Sequence, residues 1–437
     1  MEDNKTKINN DYPKILFLTI NGWNNTTGTA TISSIIDGYP KEKIANIFIR
    51  ADLPNSECCS RYFRIPEFSV FKSIIKRKLN VGYEVDISKS TNSDTYTKER
   101  NTHGFLKKFN SPIVSIAREL LWKAGNWKSK GLSEFVGDFK PDIVIFPAEA
   151  LIHFNNIGRY VSKIANCPYG VFFWDDNFTY KPVNGPFKKI YRFFQRRNIK
   201  KIASEARFGF SLNPKMQFEV KEDLGLDTVL LTKPMARSDY FEKQTGEIIK
   251  ILYTGSLYID RDKTILKVIE AIKNINQDKP CFFLDIYTNS DLSKSCRKKF
   301  NIDGVSCIHP GVTKEKVIEL QRNSDVLLFV EALDGKYRNS ARLSFSTKLV
   351  DYFSAGRCIF AVGPKNIAPT EYLRDNDIAM VAGNEDEILE RMEFVANNRS
   401  VVDNYGKKAY EFGSEFHSKK TIYKRFLEVV AKQNIKE

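Results

Sequence analysis

Twice along this chain an apolar strand runs straight into a glycine-bearing polar loop and then into a helical pattern. The first instance is Ile15 to Ile20, followed by Asn21-Gly22-Trp23-Asn24-Asn25-Thr26-Thr27-Gly28, with Ile32, Ile35 and Ile36 then recurring at helical spacing. The second is Ile249 to Tyr253, followed by Thr254-Gly255-Ser256 and a helix predicted over Lys263 to Ile275. Strand signals recur after each start. In the first half they fall at Ile44 to Ile49, Ile143 to Phe146, Tyr169 to Phe173 and Phe208 to Ser211; Lys188 to Ala203 is the clearest helix between them. In the second half they fall at Phe282 to Tyr287, Val305 to Ile308, Val326 to Val330 and Cys358 to Val362. Strands alternating with helices imply parallel βαβ units, so the fold class is α/β with two Rossmann-like, doubly wound domains. No shorter repeat is visible, which argues against a solenoid.

A chain of 437 residues supports two large domains rather than one core. The alternation loosens through Lys233, Pro234, Asp239 and Gly246 before it restarts. We therefore expect one domain over 1–240 and a second over 241–416. The closing segment, 417–437, carries Ile422, Phe426, Val429 and Val430 on one helical face and is expected to pack back on the first domain. Ser88 to His103 reads as a long polar loop or insertion, and Asn384 with Glu387 gives a capping-box start for a helix through Phe394.

Lys and Arg number 68 against 53 Asp and Glu, a formal charge of +15 that attracts polyanions. Nucleic acid, anionic lipid and phosphorylated small molecules all fit that charge. No zinc spacing, RNA-binding signature or recognition-helix pattern supports nucleic acid. Apolar runs such as Val326 to Val330 are far too short to span a bilayer, and Met1 to Pro13 lacks a secretory signal, so a cytoplasmic location is expected. Seven scattered cysteines and four isolated histidines, with no CxxC or HExxH, predict reduced thiols and no protein-bound metal.

The stretch Ser344 to Phe360 carries the most chemistry. Ser346 or Thr347 can cap a helix start, whose free backbone N–H groups and dipole make an anion site. Lys348 adds a full charge, and Asp351, three residues on, shares its face. Leu349, Tyr352 and Phe353 form the buried face, and Gly356 is placed to end the helix. A solvated ion pair of Lys348 with Asp351 is the plain alternative.

This stretch resembles the donor-binding segment of GT-B glycosyltransferases, family 4 in particular, where a Pro-Ser-Lys-like helix start precedes an acidic residue and an Ala-x-Gly-like end. The resemblance implies two domains facing across a cleft and a nucleotide-diphosphate sugar as co-substrate, with no other cofactor. It places Asp351 at the second glutamate of the family's Glu-x7-Glu motif, a ligand of the nucleotide ribose. Leu343 stands at the first, so contact to the donor sugar falls to Glu331 or to backbone near Ser344. It also assigns Gly255, Arg261 and Lys263 to the diphosphate and the loop at His309-Pro310-Gly311 to the base. A glycine turn followed by two cations suits a diphosphate on physical grounds as well.

In the first domain, Gly22, Thr27 and Gly28 form a loop at a strand end that could receive a phosphate or the acceptor. Asp175 and Asp176 follow Trp174 at another strand end and are the candidates to orient or deprotonate an acceptor hydroxyl. Lys188, Lys189, Arg192, Arg196, Arg197, Lys200 and Lys201 lie among Tyr191, Phe193 and Phe194. With Lys72, Lys76, Arg77, Lys78, Phe105 to Phe109, Trp122 and Trp127 they suggest a domain resting on the inner face of an anionic membrane, with a saccharide or lipid-linked acceptor. The expected activity is metal-independent glycosyl transfer, and the resemblance implies retention of configuration. A nucleotide-sugar epimerase and a degenerate, transferase-like partner subunit are the alternatives.

Overall fold

The computed structural model describes residues 12–24, 30–50, 54–87, 112–236 and 238–433. The chain divides into two compact units: residues to 212, 217–231 and from 423 onward form the first, and 213–216 with 232–422 form the second. The main crossing therefore falls at 231–232, ahead of the expected 240.

In the first unit, in chain order, the elements are β1 (Ile15–Thr19), α1 (Ala30–Ile35), β2 (Ile44–Phe48), β3 (Arg61–Arg64), α2 (Glu67–Ile75) and β4 (Tyr83–Val85). Then come α3 (Pro112–Ala124), α4 (Lys130–Phe139), β5 (Ile143–Pro147), α5 (Ile152–Ala165), β6 (Tyr169–Phe173), α6 (Pro186–Glu205) and β7 (Phe208–Ser211). Helix α7 (Pro214–Leu224) and strand β8 (Thr228–Leu230) follow. The described strands form one sheet in the order β4-β3-β2-β1-β5-β6-β7-β8. All pairings are parallel except β3 with β4. Every residue of β1, β2, β5 and β6 is buried, because helices cover both faces of a parallel sheet. That burial explains why these strands read as continuous apolar runs.

The second unit repeats the plan with β9 (Ile249–Thr254), α8 (Arg261–Ile275), β10 (Phe282–Thr288), α9 (Lys294–Phe300), β11 (Ser306–Pro310), α10 (Lys314–Asn323) and β12 (Val326–Val330). It continues with α11 (Thr347–Ala355), β13 (Cys358–Val362), α12 (Ala368–Asp375), β14 (Met380–Ala382), α13 (Glu385–Asn397), α14 (Ser400–Phe416) and α15 (Lys419–Ala431). Its described strands run β11-β10-β9-β12-β13-β14, all parallel. The start of α13 has the N-cap read from the sequence, with Asn384 Oδ1 accepting from the Glu387 amide at 2.9 Å, but Glu387 reaches one residue further back than in a capping box and accepts from the Gly383 amide at 2.9 Å. Helix α11 ends at Gly356 with φ 62°, the left-handed geometry that favours glycine.

Helix α15 enters the first unit at residue 423. Its Phe426 meets Tyr39 and Phe210 there, with ring centroids 6.1 and 6.0 Å apart. The seven cysteines are all free, and no helix of the described residues is long and apolar enough to cross a membrane. The stretch Ser88 to His103 and the run Phe105 to Phe109 lie outside the described residues.

Candidate functional site

Strand order, which no sequence pattern displays, locates the crevice in the second unit. The chain leaves β9 toward β10 on one side and leaves β12 toward β13 on the other, so the order reverses between β9 and β12. Loops then part at the carboxyl ends of those two strands, where open α/β sheets take ligands. Gly255 follows β9 and Glu331 follows β12.

Five side chains meet there. Glu331, 4% exposed, receives Arg261 through a fork: Nη2 reaches Oε1 and Oε2 at 2.8 Å and Nε reaches Oε2 at 3.1 Å. The Thr264 hydroxyl donates to the Glu331 carbonyl at 2.9 Å, tying the first turn of α8 to the end of β12. The approach to α8 is unusual, since Ile259 and Asp260 have φ of 57° and 62°. Lys348 reaches across from α11 and sits 5.3 Å over the Tyr253 ring. A Cβ on Gly255 would displace Lys348 Nζ from its present place, and the φ of 152° at this turn favours glycine.

Lys348 has no ion-pair partner among the described residues. Burial, and next the Arg261 guanidinium, lower its ammonium from the ordinary lysine value to about 8, with Glu331 acting in the opposite sense. Ser346 occupies the N-cap of α11, but its hydroxyl makes no capping hydrogen bond. An unpaired cation beside an uncapped helix start is an arrangement that an anion completes.

The other sequence candidates lie as follows. Thr347 is exposed on the first turn of α11. Asp351 lies 2.5 Å from Lys233 Nζ and does not pair with Lys348, so the plain alternative of a Lys348–Asp351 ion pair does not hold. Lys263 points to solvent and pairs with Asp260 at 2.9 Å. Arg261 is held by Glu331, so that carboxylate is engaged as an anchor. His309 and Pro310 belong to β11 rather than to a turn after a strand. His309 Nε2 lies 2.7 Å from Asp285 Oδ1, and its ring stacks on Tyr287 at 4.4 Å. Leu343 is fully buried, and its carbonyl accepts from Asn213 Nδ2 at 2.7 Å.

The sheet of the first unit also reverses, between β1 and β5. Gly22 and fully buried Trp23 follow β1, whereas Thr27 and Gly28 lie outside the described residues. Past β5 stands Glu149, whose Oε1 accepts from Trp174 Nε1 at 3.2 Å. Burial, then the charge of Asp175, raises the Glu149 carboxyl to about 7, while Trp174, Arg50 and the Ala150 amide oppose the shift. Asp175 is exposed nearby after β6. Asp176 instead accepts from the Thr179 amide at 3.0 Å and hydroxyl at 2.6 Å, closing a turn. One amide fixes Glu149: Asn155 Oδ1 accepts from its N–H at 3.1 Å and Asn155 Nδ2 donates to its carbonyl at 2.9 Å. Asn198 accepts from the same Nδ2 at 2.8 Å and donates to Asn156 at 3.0 Å.

No protein-family profile matches the sequence, and comparison with curated proteins finds no match. Solved structures do match over nearly the whole chain. HepE of Anabaena, in complex with UDP, aligns with a TM-score of 0.62 at 11% identity over 96% of this chain and 100% of that one. TarM aligns at 0.60 with 11% identity over 95% and 98%. Sucrose-phosphate synthase of Thermosynechococcus elongatus aligns at 0.60 with 10% identity over 96% and 99%. The chain has the GT-B glycosyltransferase fold. Likeness at this identity concerns the fold, and the chemistry has to be read from the side chains.

Within the GT-B fold of this chain, sequence reasoning missed Glu149 and the pairing role of Glu331. Glu331 was noted as a possible sugar contact, but its role as the partner of Arg261 needs the adjacency of β9 and β12. Glu149 carries no local signal beyond its place after an apolar strand; its burial and its neighbour Asp175 come from separate crossovers.

Proposed function

We propose that this protein transfers a glycosyl group from a nucleoside-diphosphate sugar to a saccharide or lipid-linked acceptor. The observation that carries the reading is Lys348. It is a depressed, unpaired amine set against Gly255 at the strand-order reversal of the second unit, beside the uncapped start of α11. A diphosphate placed there gains Lys348, the amides of the α11 first turn and close backbone approach at Gly255. Departure of the diphosphate develops negative charge, which these fixed groups neutralise without reorganising. Arg261, anchored on Glu331, adds positive field behind Lys348. HepE structures hold UDP, UDP with glucose, and UDP-glucose, which supports a nucleotide sugar as the co-substrate.

The finer parts of the reading follow from the same groups. Because Lys348 and Arg261 supply cations and the first-turn amides of α11 supply N–H donors, the reaction proceeds without a metal and without a cofactor beyond the nucleotide sugar. The Glu149 carboxyl, titrating near neutrality beside Asp175, takes the place first given to Asp175 and Asp176 as acid or base toward the acceptor hydroxyl. Family resemblance favours retention. The charge of +15 and the basic helix α6 favour work in the cytoplasm at an anionic membrane surface.

Thermal melting with UDP, ADP and GDP, followed by product analysis with the matching sugar donors, tests the reading. One nucleoside diphosphate should raise the melting temperature and its sugar should be transferred. An intact fold that responds to none of them sinks the proposal; turnover of the donor without an acceptor would mark an epimerase instead.

A further inference from the structure

A cavity of about 780 Å³ opens in the helical layer of the first unit, walled by α3, α5 and α6 and by the residues before α4. Its volume is that of a small-molecule site. None of its lining residues has a part in the nucleotide site described above.

Three features of the wall select a ligand. The first is aromatic: Trp127, Tyr160, Tyr191 and Phe194 present ring surface. Exposed apolar side chains, Ile113 and Leu120 on α3 and Phe193 on α6, extend that character along two of the helices that form it.

The second is charge. Lys123, Lys128, Arg159 and Lys163 all line the space. Arg159 is forked on Glu205 at 2.7 Å, and Lys128 lies 5.3 and 5.1 Å over the rings of Trp127 and Tyr160. Lys123 and Lys163 are exposed and have no ion-pair partner among the described residues. Glu119 is the one carboxylate among the described lining residues, and it is fully engaged. It accepts from the amides of Ile152 at 3.0 Å and His153 at 2.8 Å, from His153 Nδ1 at 3.0 Å and from the Tyr191 hydroxyl at 3.3 Å. Glu119 therefore closes the N-terminus of α5 and leaves the lysines uncompensated.

The third is an open valence. His153, which lines the cavity, is 4% exposed and stacks on Trp122 at 4.4 Å. Ionised Glu119 only accepts, so the proton sits on Nδ1. Nε2 is buried and has no hydrogen-bond partner. A buried polar atom left in that state is costly unless a bound group satisfies it.

We propose that this cavity binds a phosphate-headed amphiphile, with its apolar chain against the rings and its phosphate on the Lys123 side, where Glu119 and Trp122 of the same helix meet His153. The P–OH of a monoanionic phosphate monoester is the donor that the bare His153 Nε2 lacks. Aromatic walls alone would admit any apolar body, and lysines alone any anion; their combination selects both ends of one molecule. The inference stands whether or not the second unit handles a nucleotide sugar.

Titration calorimetry on the full chain tests it, with dodecyl phosphate below its micelle concentration as the probe. Saturable one-to-one binding is expected. Inorganic phosphate should bind at least about a hundredfold more weakly, since it buries no chain. The double charge reversal Lys123→Glu with Lys163→Glu, at exposed positions, should weaken dodecyl phosphate at least about tenfold. Lys348→Ala should leave it unchanged. The proposal is overturned by any of four results: no saturable binding, equal binding of dodecyltrimethylammonium, equal affinity for inorganic phosphate, or unchanged affinity in the charge-reversed protein.

Discussion

Replacing Lys348 with methionine should stabilise the protein while weakening its grip on a nucleoside diphosphate. The ammonium falls from 10.5 to about 8, first through burial and then through Arg261. A drop of that size sets a ceiling of roughly 3 kcal/mol on the cost of keeping the charge at pH 7, and solvent access to a partly exposed side chain reduces it to about 1 to 2 kcal/mol. The unfolded chain keeps the proton up to its ordinary value, whereas the folded chain sheds it near 8. Stability of the native protein therefore rises with pH between about 8 and 10.5, and the full cost applies below that window. Methionine keeps the bulk and removes the charge, so Lys348→Met should melt about 2 to 8 °C higher at pH 7. The gain should shrink as the pH approaches 10. By calorimetry the variant should bind UDP at least about tenfold more weakly at pH 7.5. Native affinity should itself fall about eightfold between pH 7.5 and 9, as the charged fraction drops from about three quarters to about a tenth. A variant that melts lower than the native protein at pH 7, or that binds UDP as tightly with the same pH dependence, refutes the reasoning.

Arg261→Ala leaves the Glu331 carboxylate buried without its fork and should cost about 3 to 5 kcal/mol in denaturant unfolding; adding Glu331→Ala should recover part of that loss, and strict additivity of the two changes would contradict the ion-pair account. Glu149 has the opposite sign to Lys348: the folded protein holds its proton up to about 7 and the unfolded chain releases it near 4.5, so stability falls as pH rises through that window. Glu149→Gln should therefore match the native protein at pH 4, exceed it at pH 8, and lose any inflection near 7 in the rate of glycosyl transfer.

The alternation of strands and helices was legible because buried parallel strands are apolar on both faces, as β1, β5 and β12 show. The short strands β3, β4, β8 and β14 were not: β4, β8 and β14 have three residues, too few to establish a period, and β3 sets Arg61 and Arg64 at its ends instead of an apolar run. Helix ends with a local chemical cause were readable: Gly356 closes α11 and Asn384 opens α13. Pairings between distant segments were not. Asp351 lies three residues from Lys348 yet takes Lys233, 118 residues away, because the chain returns there. His309 looked like a turn residue beside Pro310-Gly311, but the register of β11 on β10 carries it into the sheet opposite Tyr287. The candidate site was thus half visible: its glycine and lysine announce themselves, while the carboxylates Glu331 and Glu149 acquire meaning only from strand order.

Asn155 gives Glu149 something β5 alone does not provide. A side-chain amide offers the same donor and acceptor as a peptide group, and here it bonds both the N–H and the carbonyl of residue 149, past the end of the strand at Pro147. It acts as a one-residue surrogate strand, extending the ladder without any neighbouring backbone. A carboxyl that stands in a connecting segment thereby acquires the fixity of a sheet position. The position of this carboxyl then depends on Asn155 at the start of α5 rather than on the loops around it.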